Sequence, residues 1–243
     1  QLTSQKCSAK LLIASDGSQS HIRQLAGIGV TGWNYQQSAM LINVETQLSQ
    51  QDITWQQFFP TGPVAMLPMQ GSHASLVWYH QIDEIKRLSA LSNAELTKAV
   101  NTIFPKRLGT INVVDKGAFP LTRQHANTYQ QHRVLLMGDA AHSINPLAGQ
   151  GVNLGFKDVK ALQTLVATAI GNGEQWDDLS VLSRYEKQRR TDNLLMMSAM
   201  DVFYHSFSNT SPVIKSLRNF ALTMTNKIPL AKAQALKYAC GII

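Results

Sequence analysis

The spacing of apolar residues changes period several times along the chain, and each period predicts an element. Val134-Leu135-Leu136-Met137 is a short unbroken apolar run, as expected of a buried parallel strand. Gly138-Asp139 ends it, and Pro146, Gly149 and Gly151 fill a loop. From about Gln150 the spacing becomes helical through Val152, Phe156, Val159, Leu162 and Val166. Near the start, Leu11-Leu12-Ile13-Ala14 reads as another strand. Asp16-Gly17 makes a turn, Ser18 is available as a cap, and Ile22, Leu25 and Ala26 give a short helix face.

The middle of the chain alternates differently. Trp33–Thr46 predicts a long strand; Ile53–Phe59 and Pro63–Met69 flank the turn residues Pro60-Thr61-Gly62, and Ala74–Tyr79 follows Gln70-Gly71. These read as an antiparallel sheet, which can keep one face on a core and turn the other to a ligand. Trp55, Phe58, Met66 and Trp78 could line a pocket for an aromatic substrate or equally be core. Ile82–Leu91 and Ala94–Phe104 have helical spacing, with Asn93 as cap and Pro105 as stop, and Ile111–Val114 returns as a strand. Leu179–Phe207 is a long helical run. On it Arg184, Lys187, Arg189 and Arg190 suggest a solvated face, and Met196, Met200, Phe203 and Phe207 a packing side. The fold class is therefore α/β (α+β), with an antiparallel sheet and a helical C-terminus.

Composition narrows the partners. The 243 residues suffice for a sizeable core, and a charged content of 15% argues against disorder. The net charge of +7 allows nucleic acid, an anionic membrane surface or an anionic ligand. No Lys/Arg block with interleaved aromatics and no finger spacing occurs, so no nucleic-acid partner is expected. From Ser211 onward the chain holds Lys215, Arg218, Lys227, Lys232 and Lys237 and no acid, beside Ile214, Leu217, Phe220, Leu222, Met224, Leu236 and Tyr238. Such a basic amphipathic tail, split at Pro229, either rests on an anionic membrane or docks on the body with its lysines in water. Cys7 and Cys240 lie near opposite ends, which fits a reduced cytoplasmic protein. No apolar run is long enough to span a bilayer, and the scattered histidines give no metal-ligand spacing, so no metal is expected. The chain begins at Gln1 and opens almost at once into a strand without an earlier one to pair with, which suggests a missing upstream part.

A strand feeding a glycine-rich loop and a helix start favours negative charge, because the first helical N–H groups lack internal partners and the dipole is positive there. Glycines let a flat ligand approach the backbone. Asp139, at the strand end, suits a ligand bearing hydroxyls. Gly27-Ile28-Gly29-Val30-Thr31-Gly32 matches a dinucleotide fingerprint by letters only, with Asp52 further on. It follows a helical pattern and precedes a strand, the reverse of what that fingerprint needs.

Gly138-Asp139-Ala140-Ala141-His142, then Pro146-Leu147-Ala148-Gly149-Gln150-Gly151-Val152-Asn153-Leu154-Gly155 and Asp158, resembles the second flavin motif of the FAD-dependent aromatic hydroxylases, in particular those of ubiquinone biosynthesis. Asp16-Gly17-x-x-Ser20-x-x-Arg23 resembles the element of that family lying near the cofactor pyrophosphate, with Asp16 and Arg23 as its polar members. Phe119-Pro120-Leu121 resembles the segment that re-enters the flavin domain, so Pro120 is a further substrate-lining candidate and Arg123 a possible ligand-facing one. Many relatives have His-Pro where this chain has Asn145-Pro146. Met40-Leu41-Ile42-Asn43-Val44, Thr54–Phe58, Ser75–Tyr79 and Ile144-Asn145-Pro146 are most similar to the branch acting on 2-polyprenyl-3-methyl-6-methoxy-1,4-benzoquinol.

The resemblance implies the C-terminal part of a flavoprotein monooxygenase. Its divisions would be an FAD-domain remnant at 1–32, an antiparallel-sheet substrate domain at 33–123, further FAD domain at 124–175 and C-terminal helices at 176–243. FAD would be held by Asp16, Arg23, Gly138, Asp139, Pro146, Gly149, Gln150, Gly151, Val152 and Asn153. Pro146, Leu147, Ala148 and Gly149 would face the flavin through their backbone. The implied chemistry is ring hydroxylation of a polyprenyl benzoquinol through a C4a-hydroperoxyflavin, with O2 as co-substrate and NAD(P)H as reductant. The chain by itself is expected to bind FAD weakly and to be inactive. Other ubiquinone-biosynthesis proteins, the inner membrane surface and a second copy are the partners implied. A sibling enzyme hydroxylating another ring position, or a non-catalytic quinone-binding subunit, remain alternatives.

Overall fold

The computed structural model describes residues 7–49, 53–146, 149–209 and 211–239. In chain order its elements are β1 (Leu12–Ala14), α1 (His21–Leu25), β2 (Val30–Thr46), β3 (Trp55–Phe59), β4 (Gly62–Pro68), β5 (His73–Gln81), α2 (Ile82–Ala90), α3 (Asn93–Ile103), β6 (Ile111–Ala126), β7 (Gln130–Gln131), β8 (Val134–Leu136), β9 (His142–Ser143), α4 (Gly151–Gly171), α5 (Leu179–Ser208), α6 (Pro212–Lys227) and α7 (Pro229–Ala239). They form two compact units. One runs up to Trp33 and again from Thr122 to Asp201; the other comprises Asn34–Leu121 and Val202–Tyr238. The C-terminal helices are therefore not a unit of their own, because α5 is divided at Asp201.

The second unit is the antiparallel one, with strand order β3-β4-β5-β2-β6. Its register sets Met40 opposite Trp78, Ile42 opposite Leu76 and Val44 opposite Ala74, with Val64 and Met66 next in line on β4. Because side chains alternate across a strand, these residues share one face. Ile85, Leu88, Leu96 and Val100 of α2 and α3 cover that face and bury it. The β3–β4 hairpin requires Gly62, whose φ is +123° and whose Cβ would lie 2.7 Å from Tyr79 Cβ. Ser92, not Asn93, caps α3, in a reciprocal capping box with Glu95. Asn93 instead donates to the Val114 carbonyl. β6 continues far beyond Val114, to Ala126, so the Phe119-Pro120-Leu121 segment is strand.

In the first unit, β1 pairs in parallel with β8, and β7 pairs antiparallel with β8. Ala14, Ala126, Tyr129, Leu135 and Leu136 form its core with Leu162 of α4 and Leu182 and Tyr185 of α5. Gly32 lies in β2 rather than in a phosphate loop: a Cβ there would fall 2.1 Å from the Arg123 carbonyl oxygen, so strand packing demands the glycine. Among the described residues, no helix is long and apolar enough to cross a membrane.

Of the helically spaced apolar residues of α4, Leu162 is buried and Val166 packs against the core, while the others are open. Val152 and Phe156 are 68% and 67% exposed, and Val159 and Ile170 are exposed too. The buried face carries Leu154, Asp158, Leu162 and Ala169. With Ile13 and Met137, the outer face of α4 lines an open apolar hollow of about 520 Å³. Apolar residues lie on both sides of α4, so periodicity alone does not choose which side is buried.

Candidate flavin site and its buried ion network

The turn after β8 positions the first site residues. Gly138 has φ +58°, and a Cβ on it would meet nothing within 4 Å. The left-handed backbone lets β8 end abruptly and places the exposed Asp139 at its tip. Desolvation raises the Asp139 carboxyl above its ordinary range, and His142 opposes that shift. Gly149, at φ +64°, is likewise open beyond its Cα, and its N–H donates to the Pro146 carbonyl. Gln150 is the N-cap residue of α4, but no side chain caps the helix. Open glycines, an exposed carboxylate and an uncapped helix start fit the ribityl and ring portion of a flavin. Leu147 and Ala148 lie outside the described residues.

Asp16 is engaged within its own element, and Arg23 reaches a second one. Asp16 accepts from Ser20 Oγ and from the Ile22 N–H, and Ser20, not Ser18, is the N-cap of α1. Arg23 is buried and donates to the Ala140 carbonyl (2.8 Å) and the Ser18 carbonyl (2.9 Å). Its guanidinium thus ties α1 to the Gly138–Ala140 turn. Arg123 pairs with Asp201 at 2.8 Å and lies over the Trp33 ring at 4.4 Å, so it is neither a free surface cation nor an open one.

Behind the turn lies a network the sequence did not announce. Asp158 of α4 is fully buried. Its Oδ2 accepts from the Gly138 N–H (2.9 Å) and from His142 Nε2 (2.6 Å). Its Oδ1 accepts from Arg189 Nε at 2.7 Å and from Asn193 Nδ2 at 3.4 Å. Arg189 also donates to Asp192 and Asn193, both at 2.8 Å. Asn193 donates to the Tyr129 hydroxyl (3.1 Å), which lies 2.9 Å from His125 Nε2. Burial works against ionisation of Asp158, but His142, Arg189 and the Gly138 N–H outweigh it and hold the carboxyl below its usual range. Burial, with help from Arg190, His142 and Arg123, lowers His125 to about 4. Arg189 is therefore a buried partner of the flavin motif, not part of a solvated face. Its neighbours Asp158 and Tyr129 are remote in sequence, so no local pattern marked it; the Arg189–Asn193 spacing on one helix face was the only available signal.

The expected substrate-lining residues divide. Met66 and Trp78 belong to the core between sheet and helices, and Trp55 packs against it, facing Phe104 at 6.2 Å. For these three the core reading is the one their packing supports. Phe58 points to the opposite face and stacks on Phe207 at 4.0 Å. Pro120 is exposed on β6. Met196 packs with Ile144, Leu154 and Met197 in the first unit, and Phe203 and Phe207 stack in the second, so the single packing side read along α5 serves two units. Among the described residues, no group of three or more His, Cys, Asp or Glu could hold a metal.

A family model described as FAD binding domain matches residues 2–197. The chain is 48% identical over 234 residues to the 3-demethoxyubiquinol 3-hydroxylase of Escherichia coli K12, covering 96% of this chain and 60% of that protein. It is 36% identical over 266 residues to the mitochondrial ubiquinone biosynthesis monooxygenase COQ6 of Danio rerio, covering 95% and 55% respectively. It thus spans little more than half the length of these relatives. Among solved structures, p-nitrophenol 4-monooxygenase PnpA from Pseudomonas putida DLL-E4 matches with a TM-score of 0.74 at 20% identity over 94% of this chain and 58% of that one, a likeness of fold. The open Gly138 and Gly149 turns and the uncapped start of α4 lie inside the matched region, and the chain belongs to the FAD-binding-domain family.

Proposed function

We propose that the intact protein is an FAD-dependent monooxygenase that hydroxylates the ring of a polyprenyl benzoquinol in ubiquinone biosynthesis. The uncapped start of α4, beside two open left-handed glycines and Asp139, carries this reading. The likeness to the Escherichia coli and COQ6 relatives supports the substrate class. Bound FAD supplies oxygen activation, with NAD(P)H as the reductant. This chain's share is binding and electrostatics. N–H groups of Gly151, Val152 and Asn153 face negative charge on the cofactor, Asp139 receives hydroxyl hydrogen bonds, and Pro146 and Gly149 border a dry pocket. Arg23 and Asp16 hold the turn that supports Asp139.

The apolar outer face of α4 and β1 is where the further length of the relatives would pack, and that length would complete the FAD site. The chain alone is therefore expected to bind FAD weakly. The test is to supply the intact protein with FAD, NAD(P)H, O2 and a short-chain methoxy-methyl benzoquinol. A product one oxygen heavier, formed in step with NAD(P)H consumption, is expected; unchanged quinol with normal flavin loading overturns the reading. Tight stoichiometric FAD on the isolated chain would overturn the partition of the site.

We further propose a membrane-surface role for α6, which buries none of its residues. Val213, Leu217, Phe220 and Leu230 are exposed among Lys215, Arg218, Lys227 and Lys232. Each cation near an anionic bilayer adds about 1 kcal/mol. Cosedimentation of the intact protein with phosphatidylglycerol vesicles but not with phosphatidylcholine ones is expected. Equal binding to both, or to neither, rules the surface out.

A further inference from the structure

β9 and the two residues after it carry side chains with different commitments. His142 Nε2 donates to Asp158 and Ile144 packs with Leu154, Met196 and Met197, so both side chains are anchored on α4 and α5, although His142 Nδ1 has no hydrogen-bond partner. Ser143 and Asn145 occupy the alternate positions. They are 7% and 1% exposed, yet Ser143 Oγ and both Oδ1 and Nδ2 of Asn145 have no hydrogen-bond partner. Leaving a buried polar group unpaired costs roughly 1–3 kcal/mol, and native proteins pair the great majority of them. Here three such atoms fall within three residues, immediately before the Pro146 loop.

The chemistry of the pair selects a ligand. A carboxamide presents a donor and an acceptor side by side, and a hydroxyl supplies either. That set matches a ring with adjacent oxygen substituents: a hydroxyl donates to Oδ1 while a neighbouring methoxy or hydroxyl oxygen accepts from Nδ2. Neither side chain is charged. An aromatic acid would bury its carboxylate against two neutral side chains, whereas a neutral ring would not.

We propose that Asn145 and Ser143 form the polar subsite that reads the oxygen substituents of a neutral quinol ring, and so set specificity at the Pro146 loop. The inference rests on the proposed hydroxylase function. In the intact FAD-loaded protein, held anaerobic, a short-chain methoxy quinol and an analogue with ring oxygens replaced by hydrogen are titrated against the absorbance of bound flavin. Asn145→Leu is expected to weaken the quinol roughly tenfold while leaving the deoxygenated analogue unchanged, since two hydrogen bonds are lost with one ligand only. The thermal midpoint of the ligand-free variant should stay level or rise, because an unpaired amide has left the interior. Ser143→Ala should weaken the quinol by about threefold on the same ground.

Equal quinol affinity in variant and parent overturns the inference while the functional reading stands. Loss of affinity for both ligands with a lowered midpoint also overturns it, because that marks a packing role. A parent that binds neither ligand removes both the inference and the function beneath it. If Asn145→Leu does not fold, Asn145→Ala and Ser143→Ala carry the same criteria.

Discussion

The two units solve the problem of a stable interior in opposite ways. The antiparallel unit closes on an apolar core, with Met40, Ile42, Met66 and Leu76 from the sheet and Leu88 and Leu96 from the helices all fully buried. The flavin-motif unit wires its interior with ions. Asp158, His142, Arg189 and Asn193 are buried together, while apolar Ile13, Phe156 and Val159 face outward. A core made only of hydrocarbon specifies volume. A buried carboxylate with four donors specifies geometry, and here it fixes the Gly138 N–H and so the direction of Asp139. The unit that must present a carboxylate and bare amides in set positions is the one that spends buried charge, as a site supported from behind by its packing must.

This contrast can be broken most forcefully at Asp158. Asp158→Ala leaves Arg189 and His142 buried without their main partner, and a loss of about 3–5 kcal/mol in urea unfolding is expected. Flavin affinity of the intact protein should fall with it; a loss below 1 kcal/mol would show the network to be dispensable. Leu76→Ala, in the apolar core, should cost about 2–5 kcal/mol through its cavity while leaving flavin affinity unchanged.

Acid should separate the units next. His125 is held neutral at about 4, below the ordinary histidine value of 6.5. The unfolded chain therefore takes up a proton as pH falls from 6.5 while the folded chain does not, and stability drops until about pH 4, by at most ~3 kcal/mol. Asp158, held low, contributes stability that is present above its ordinary value and is lost only as pH falls below it. Urea titrations of the parent and His125→Gln between pH 7 and 4 check this, and identical slopes would refute it. The smallest effect is expected from Ser92→Ala, which removes the α3 cap of the antiparallel unit at about 1 kcal/mol.

How legible this was depended on the distance over which each feature is decided. The strands of the antiparallel unit, both of its helices and the strand–loop–helix of the flavin motif lay in the sequence as local periods and turn residues, and the Gly138–Asp158 stretch carried the family with it. Cap assignments slipped by one or two residues, to Ser92 from Asn93 and to Ser20 from Ser18, because several neighbouring polar residues could serve and only backbone geometry selects. Which face of α4 is buried, and that Arg189 lies inside, were not readable, since both depend on what packs there.

By itself, then, the chain's order of residues determined its elements, their sequence along the backbone and the glycine turns beside a helix start, because these follow from periods and φ preferences within a few residues. Only the tertiary structure decided that Arg189 and Asn193 meet Asp158, that Met66 and Trp78 are core, and that Asn145 and Ser143 are buried without partners. Those outcomes depend on segments far apart in sequence being brought together, and burial and pairing are properties of that meeting rather than of any residue alone.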